Sequence, residues 1–279
     1  MAWHLTDRVE EFSDAAGEFL RSRPVEHTVA LTLVDTLRKH GPHFYGATDP
    51  IFGWWQPDGG RVAGAFLQTP PYPLLLTAAP AVPELVELLA GRPLPGVNAL
   101  AADAAAFADA WRKRTGAAAT VGRRSRLFRL DVLTPPSPLP AGAARIAGPG
   151  DRDQLVAWAG AFQAEVGEGL DRDLAGVVDD KLSYGGLTLW EVDGSPVSMA
   201  GASRIEAGMT RVMLVYTPRD LRGRGYAGAA TTAVTRAARA AGADEVVLFT
   251  DLANPISNAL YHRLGYRPIE DRAVLEFSS

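Results

Sequence analysis

Residues 213–228, Met-Leu-Val-Tyr-Thr-Pro-Arg-Asp-Leu-Arg-Gly-Arg-Gly-Tyr-Ala-Gly, decide how the fold of this chain is read. An apolar run around Val212, Leu214 and Val215 ends in a turn that carries Arg222, Gly223, Arg224 and Gly225. The sequence then opens directly into an alanine-rich helical pattern. Glycines at a strand-to-helix junction let the backbone approach a ligand closely. The first amides of the helix have no partner inside it, so the junction is an anion site. Two arginines beside it add charge and planar donors suited to phosphate.

Outward from this turn the pattern alternates to the end of the chain. Val246-Val-Leu-Phe-Thr-Asp251 reads as a buried strand, and Asn254-Pro255 as an N-cap followed by proline at the first helical position. Gly265 closes that helix. Ile256, Leu260 and Leu264 fall at four-residue spacing and are expected to face the core. Asn254, Asn258 and Tyr261 fall at i, i+4 and i+7 on a different face. Upstream, residues 187–192, 196–204 and 209–216 read as strands in hairpin arrangement. The same glycines also spell Gly223-x-Gly225-x-x-Gly228, the dinucleotide-binding fingerprint. That fingerprint normally begins its domain and needs an acidic residue about 20 positions on. Here hairpins precede it, Asp251 stands at a strand end but later than expected, and only 51 residues follow Gly228.

On these residues the chain resembles the GNAT superfamily of acyl-coenzyme A dependent N-acetyltransferases. Arg222-x-x-Gly225-x-Ala227 corresponds to the family's (Arg/Gln)-x-x-Gly-x-(Gly/Ala) pyrophosphate motif. Asn254 to Tyr261, followed by Leu264-Gly265-Tyr266, corresponds to its C-terminal helix. The likeness covers about residues 141–279 and implies an α/β fold with a mixed, mostly antiparallel sheet flanked by helices. It also implies acetyl-coenzyme A as acyl donor and an amine of a small molecule or protein as acceptor. By that resemblance Val215, Tyr216 and Thr217 hydrogen-bond the pantetheine arm and place one amide on the thioester carbonyl. Arg222, Gly223, Arg224, Gly225, Tyr226, Ala227 and Gly228 take the pyrophosphate, and Asn254 and Asn258 touch the cofactor arm. Tyr261 then gives its proton to the departing thiolate, since a phenol with pKa about 10 stays protonated at neutral pH. Read without the motif, Tyr261 is an aromatic packed on a sheet.

The base is less sharply marked. Glu165 and Glu168 sit at the end of the first helix of the C-terminal half, where the family builds its acceptor site. Glu191 and Glu206 lie on or after the hairpin strands. Each also reads as a solvated surface charge, and water can relay the proton. Glu165 is the candidate taken forward.

Composition agrees with an enzyme of one large or two ordinary domains. The chain has 279 residues, 47% hydrophobic and 22% charged, with net charge −4. The mild acidity leaves no electrostatic footprint for nucleic acid. With no cysteine there is no disulfide, cysteine nucleophile or cysteine-held zinc. His40-Gly-Pro-His43 reads as a loop after a helix, and no metal is expected. No apolar run approaches the ~18 residues that span a bilayer, and the first residues lack a basic-then-apolar signal. A cytoplasmic monomer or homodimer with no membrane partner is expected. Within that class, an acyl-coenzyme A binding module without turnover, a hydroxyl acceptor and a longer acyl donor stay open.

The organisation suggests one fold used twice: residues 1–133, a Pro-rich linker at 134–140, and residues 141–279. Phe52-Gly-Trp-Trp-Gln-Pro-Asp-Gly resembles Leu187-Thr-Leu-Trp-Glu-Val-Asp-Gly, each a Trp-bearing strand before an Asp-Gly turn. Val97 to Gly116 lines up with Val246 to Gly265. In that register Asn254 becomes Ala105 and Tyr261 becomes Arg112. Between Leu74–Thr77 and the helix at Val82–Leu89 there is neither arginine nor glycine. The N-terminal half is therefore expected to be a degenerate, GNAT-like domain without a donor site.

Overall fold

Apolar strands bounded by turn residues recur twice along the chain, and the computed structural model, which describes residues 2–78, 80–167 and 173–278, resolves them into two units. One unit comprises Met1–Leu127, Asp251–Ala253 and Ile269–Ser279, the other Phe128–Thr250 and Asn254–Pro268. The fold is mixed α/β, with mostly antiparallel strand pairing and flanking helices.

The first unit opens with β1 (Ala2–Thr6), α1 (Val9–Ser22) and α2 (Thr28–His40). The antiparallel strands β2 (Ile51–Gln56), β3 (Gly64–Gln68) and β4 (Leu74–Ala78) follow. Helix α3 (Val82–Leu89) then crosses to β5 (Gly96–Leu100), which runs parallel to β4. Helix α4 (Ala101–Thr115) and β6 (Ala118–Leu130) complete this half of the sequence. The core gathers Phe66, Leu74, Leu76, Leu85, Val97 and Phe107, all fully buried.

The second unit repeats the order. It runs β7 (Ala143–Ile146), α5 (Arg152–Val166), α6 (Leu174–Leu182), β8 (Leu187–Val192), β9 (Ser195–Ala202) and β10 (Met209–Tyr216). Helix α7 (Tyr226–Ala240) crosses to β11 (Glu245–Asp251), parallel to β10, and α8 (Pro255–Arg263) and β12 (Tyr266–Ser278) end the chain. The β8–β9 turn places Asp193 at φ 50° and Gly194 at φ 77°, the left-handed pair that a two-residue hairpin requires. Glycine and alanine keep α7 slim: Gly228, Ala229, Ala230 and Ala238 are buried against the sheet. Thr235 Oγ1 reaches the Tyr266 hydroxyl at 2.7 Å in the same layer.

The last strand of the chain groups mostly with the first unit. β12 pairs antiparallel with β5, from Arg272 opposite Leu100 to Glu276 opposite Gly96. The neighbour of β11 is β6, whose residues Phe128 and Leu130 enter the core of the second unit. The boundary expected at 134–140 therefore meets a chain path in which residues 269–279 group with the N-terminal half. Hydrophobic patterning names strands but not their partners, and the pairing of β12 with β5 is invisible to it.

The Pro-rich stretch is also more than a spacer. Asp131 and Thr134 donate backbone hydrogen bonds to the carbonyls of Gly265 and Leu264, each at 3.0 Å. Trp190 Nε1 donates to the Ala141 carbonyl at 2.9 Å. Residues 131–141 thus run as a strap tied to the second unit at both ends.

One expected core position differs. Ile256 is 79% exposed, whereas Leu264 is 2% and Tyr261 is 7% exposed. At ~3.6 residues per turn, each four-residue step advances about 40° around the helix. Three such positions drift off a narrow apolar stripe, and the buried face of α8 runs instead through Leu260, Tyr261 and Leu264.

Candidate acyl-donor site

Strand β10 separates from β11 partway along. Its parallel register covers Met209 to Val212. Opposite β9 the register shifts: Met213 faces Gly201, yet Tyr216 faces Met199. Leu214 and Val215 therefore share the space opposite Ala200, a bulge, and Leu214 sits at φ 52°. A leucine in the left-handed region costs roughly 1–2 kcal/mol, so the surrounding structure must hold it. Ser198, fully buried on β9, does part of this. Its hydroxyl donates to the Tyr216 carbonyl at 3.0 Å, and the Thr217 hydroxyl lies 2.9 Å away.

Downstream the chain makes a 3-10 turn at Arg219–Leu221 and reaches Gly223 at φ 76° and Gly225 at φ 84°. Gly225 is the N-cap of α7 and brings no side chain to the helix end. Among the described residues the amides of Gly223 to Gly228 make no backbone hydrogen bond within the chain, while Ala229 closes the first one onto Gly225. Unpartnered amides at a helix N-terminus attract anions. The residues expected to take a pyrophosphate divide by role. Gly223, Arg224 and Gly225 are exposed, and Ala227 is half-buried. The Tyr226 ring enters the core, leaving only its amide for the loop. Gly228 serves packing: a Cβ there would stand 3.2 Å from Pro136 Cγ and 3.3 Å from Leu260 Cδ1.

Arg222 is anchored from both sides. Its Nε donates to the Thr217 carbonyl at 2.9 Å, and its Nη2 reaches both oxygens of Glu165 at 2.8 and 2.6 Å. Arg219 Nε donates to the same carboxylate at 3.1 Å. Arg224 Nη2 meets the Asp220 carbonyl at 3.2 Å. Partial burial pushes the Glu165 carboxyl up, but hydrogen bonds from Arg222 and Arg219 outweigh it and hold the group below its ordinary range. Glu165, expected as the general base, is thus a carboxylate whose oxygens face Arg219 and Arg222. Glu191 is likewise paired, with Arg145 Nε at 2.8 Å. Glu168 lies outside the described residues.

The polar face of α8 is partly structural as well. Asn254 Oδ1 accepts from the Ser257 amide at 3.0 Å, a direct N-cap. Asn258 donates from Nδ2 to the Asn254 carbonyl at 2.7 Å and accepts from Thr250 Oγ1 at 2.6 Å. Both asparagines thus tie the β11–α8 corner. Tyr261 differs from them. Its ring packs edge-on against Tyr266, with centroids 6.0 Å apart, and its hydroxyl has no hydrogen bond among the described residues. Burial, then the neighbouring Tyr266, pushes its phenol well above the ordinary value, so it stays protonated.

Sequence reasoning missed Ser198 and the Leu214 bulge. Neither has a local signal: a serine inside a strand and a leucine in an apolar run are both ordinary. It also missed that Pro136 and Pro140 lie against Gly228 and Gly225.

The first unit shares the strand-to-helix scaffold but not the arginine–glycine turn. β4 is also bulged, its register with β3 shifting between Ala65 and Phe66. Yet α3 starts from Ala81 at φ 56° with proline in its first turn, which removes an amide, and no arginine stands near it in the sequence. Arg112, in the register of Tyr261, pairs with Asp109 at 2.9 Å. Among the described residues no group of three His, Cys, Asp or Glu could hold a metal ion, and no helix is long and apolar enough to cross a membrane.

Residues 153–266 match the model of the Acetyltransferase (GNAT) family. No curated protein matches the chain. Among solved structures, an acetyltransferase from the GNAT family of Colwellia psychrerythraea is similar with TM-score 0.60 and 12% identity, covering 99% of both chains. A GCN5-related N-acetyltransferase from Sphaerobacter thermophilus gives TM-score 0.61 at 16% identity, over 99% of this chain and 95% of that one. A tandem GNAT protein from the clavulanic acid biosynthesis pathway gives 0.58 at 15%, over 99% and 98%. At these identities the likeness carries the fold.

Proposed function

We propose that this chain transfers an acetyl group from acetyl-coenzyme A to an amine, a reading supported by the match of residues 153–266 to the Acetyltransferase (GNAT) family model. The observation that carries the reading is the row of unpartnered amides from Gly223 to Gly228, flanked by Arg222, beyond a strand that leaves its parallel neighbour after Val212. Such a row suits a diphosphate, and strand edges exposed by separation suit the amides of a pantetheine arm.

In this reading the loop amides and the remaining donors of Arg222 hold the diphosphate, which orients the thioester toward the β10 bulge. An amide at Leu214 or Val215 polarises the thioester carbonyl, an electrostatic contribution of the oxyanion type. The amine nitrogen bonds to the carbonyl carbon and the carbon–sulfur bond breaks. Tyr261 supplies its proton to the departing sulfur, and the proton lost by nitrogen passes to water. Ser198 and Thr217 act on the chemistry only by fixing the strand end. The first unit takes no donor in this reading.

Calorimetry with acetyl-coenzyme A tests the donor site. Arg222→Ala combined with Gly225→Asp places a carboxylate among the amides and is expected to abolish binding that the wild type displays. Undiminished affinity in that double variant removes the basis of the reading. Release of free thiol across a panel of small amines and amine-bearing peptides then separates turnover from binding alone.

A further inference from the structure

Glu165 occupies an unfavourable place for an acid. It lies in the last turn of α5, one residue before the helix ends at Val166, where the backbone dipole repels negative charge. What holds it there is the pair of arginines on the approach to α7. Counted by donor, three of the five N–H groups of Arg222 are used. Nε serves the Thr217 carbonyl and Nη2 serves both carboxylate oxygens, so only Nη1 lacks a partner among the described residues. Arg219 Nε is turned to the same carboxylate. A carboxylate presenting two oxygens to one guanidinium has the shape and charge of a phosphate edge.

We propose that Glu165 is a competing counter-anion of the donor site, holding Arg222 and Arg219 until a diphosphate displaces it. The inference rests on the reading that residues 222–228 receive a diphosphate. A small monoanion gains too little from the loop amides to replace a tethered carboxylate. A coenzyme A molecule brings two phosphate groups onto amides and arginines together, with pantetheine contacts along β10, and so prevails. The same carboxylate, once displaced, stays close enough to hasten departure of the spent coenzyme. Glu165 thereby lowers affinity by a similar factor for every anion that must displace it, so that ligands with many other contacts still bind.

The pair is partly solvent-exposed, with side-chain exposures of 44% for Arg222 and 26% for Glu165, so its effect is that of a screened ion pair. Glu165→Gln keeps the size and hydrogen-bonding shape and removes the charge. It is expected to bind coenzyme A about 2- to 5-fold more tightly, near the upper scale of a partly exposed pair. Inorganic pyrophosphate, titrated into both proteins, is expected to gain at least as much. The affinity of the Gln variant is also expected to fall more steeply with added salt, because two uncompensated arginines now meet the ligand. Glu165→Ala provides a second variant should the amide fold poorly, and thermal unfolding identifies which variants are native.

If native Gln and Ala variants bind both ligands no more tightly than wild type, Glu165 is not a competitor and the proposal is overturned. If wild type binds pyrophosphate but not coenzyme A, the donor-site reading fails, while the Gln-to-wild-type ratio for pyrophosphate still decides the role of Glu165. Binding of neither ligand by any of these proteins overturns both.

Discussion

Replacing Tyr261 by phenylalanine removes one oxygen from the buried face of α8 and leaves the rest of the ring in place. The hydroxyl has no hydrogen bond among the described residues, and the ring contacts Tyr266 through its edge, so packing and cap geometry survive. Stability is expected to change by less than about 1 kcal/mol, since no partner is left unsatisfied. Catalysis is expected to respond quite differently. A general acid contributes on the order of 100-fold, which corresponds to about 2.7 kcal/mol of transition-state stabilisation. Steady-state thiol release should therefore show kcat down by roughly that factor, with KM for the donor within a few-fold. Burial raises the phenol above its ordinary value, so an acid of this kind stays loaded through neutral and mildly alkaline pH. An alkaline fall in rate below about pH 10 would have to come from another group. A Phe variant as active as wild type refutes the assignment and gives the proton at sulfur to water, with the fold and the donor loop unaffected.

Three further outcomes follow from particular contacts. Gly228→Ala forces Pro136 and Leu260 to move from a Cβ at 3.2 and 3.3 Å; unfolding should show a loss of about 1–3 kcal/mol, and coenzyme A affinity is expected to hold within a few-fold. Ser198→Ala leaves the Tyr216 carbonyl without its 3.0 Å donor; a loss of about 1–3 kcal/mol with a raised KM for the donor is expected, and Ser198→Thr should recover part of it. Arg145 holds the Asp151 carboxyl below its ordinary value through bonds of 2.6 and 2.7 Å, helped by the Gly148 amide. Because the folded value is depressed, the stabilisation is present above the unfolded value near 4 and is lost as pH falls through the lower, folded one. Asp151→Asn should therefore unfold at lower temperature than wild type at pH 7, and denaturation scans should show that gap closing below about pH 4.

What could be read ahead of the structure followed from how local each cause is. The glycines at 223 and 225 adopt the left-handed backbone their positions need, and Asn254 caps the helix that Pro255 begins. A few adjacent residues dictate such features. Strand and helix order was legible for the same reason, through alternating and helical periodicities. The Glu165–Arg222 pair joins residues 57 positions apart, and no spacing rule connects them. Leu214 takes its backbone angle from the mismatch between β9 and β10, not from being leucine. Ile256 was misplaced because a four-residue spacing was treated as a straight line along a helix whose true period is shorter. Asn254 and Asn258 do form the polar stripe expected of them, but the stripe first satisfies the helix end.

The pairing of β12 with the first unit has a consequence for the order in which the protein can be made. A chain leaving the ribosome presents residues 2–127 long before β12 exists, and β5 pairs with β12. The first unit must therefore wait, its strand edge open, until nearly the whole chain has been synthesised. Contacts so distant in sequence are slow to form, because the intervening loop must close before any pairing is rewarded. An open apolar edge during that interval is a template for pairing with another nascent chain. A truncation that removes residues 269–278 should accordingly damage the unit at the opposite end of the sequence, and protease digestion should find residues 2–127 opened first.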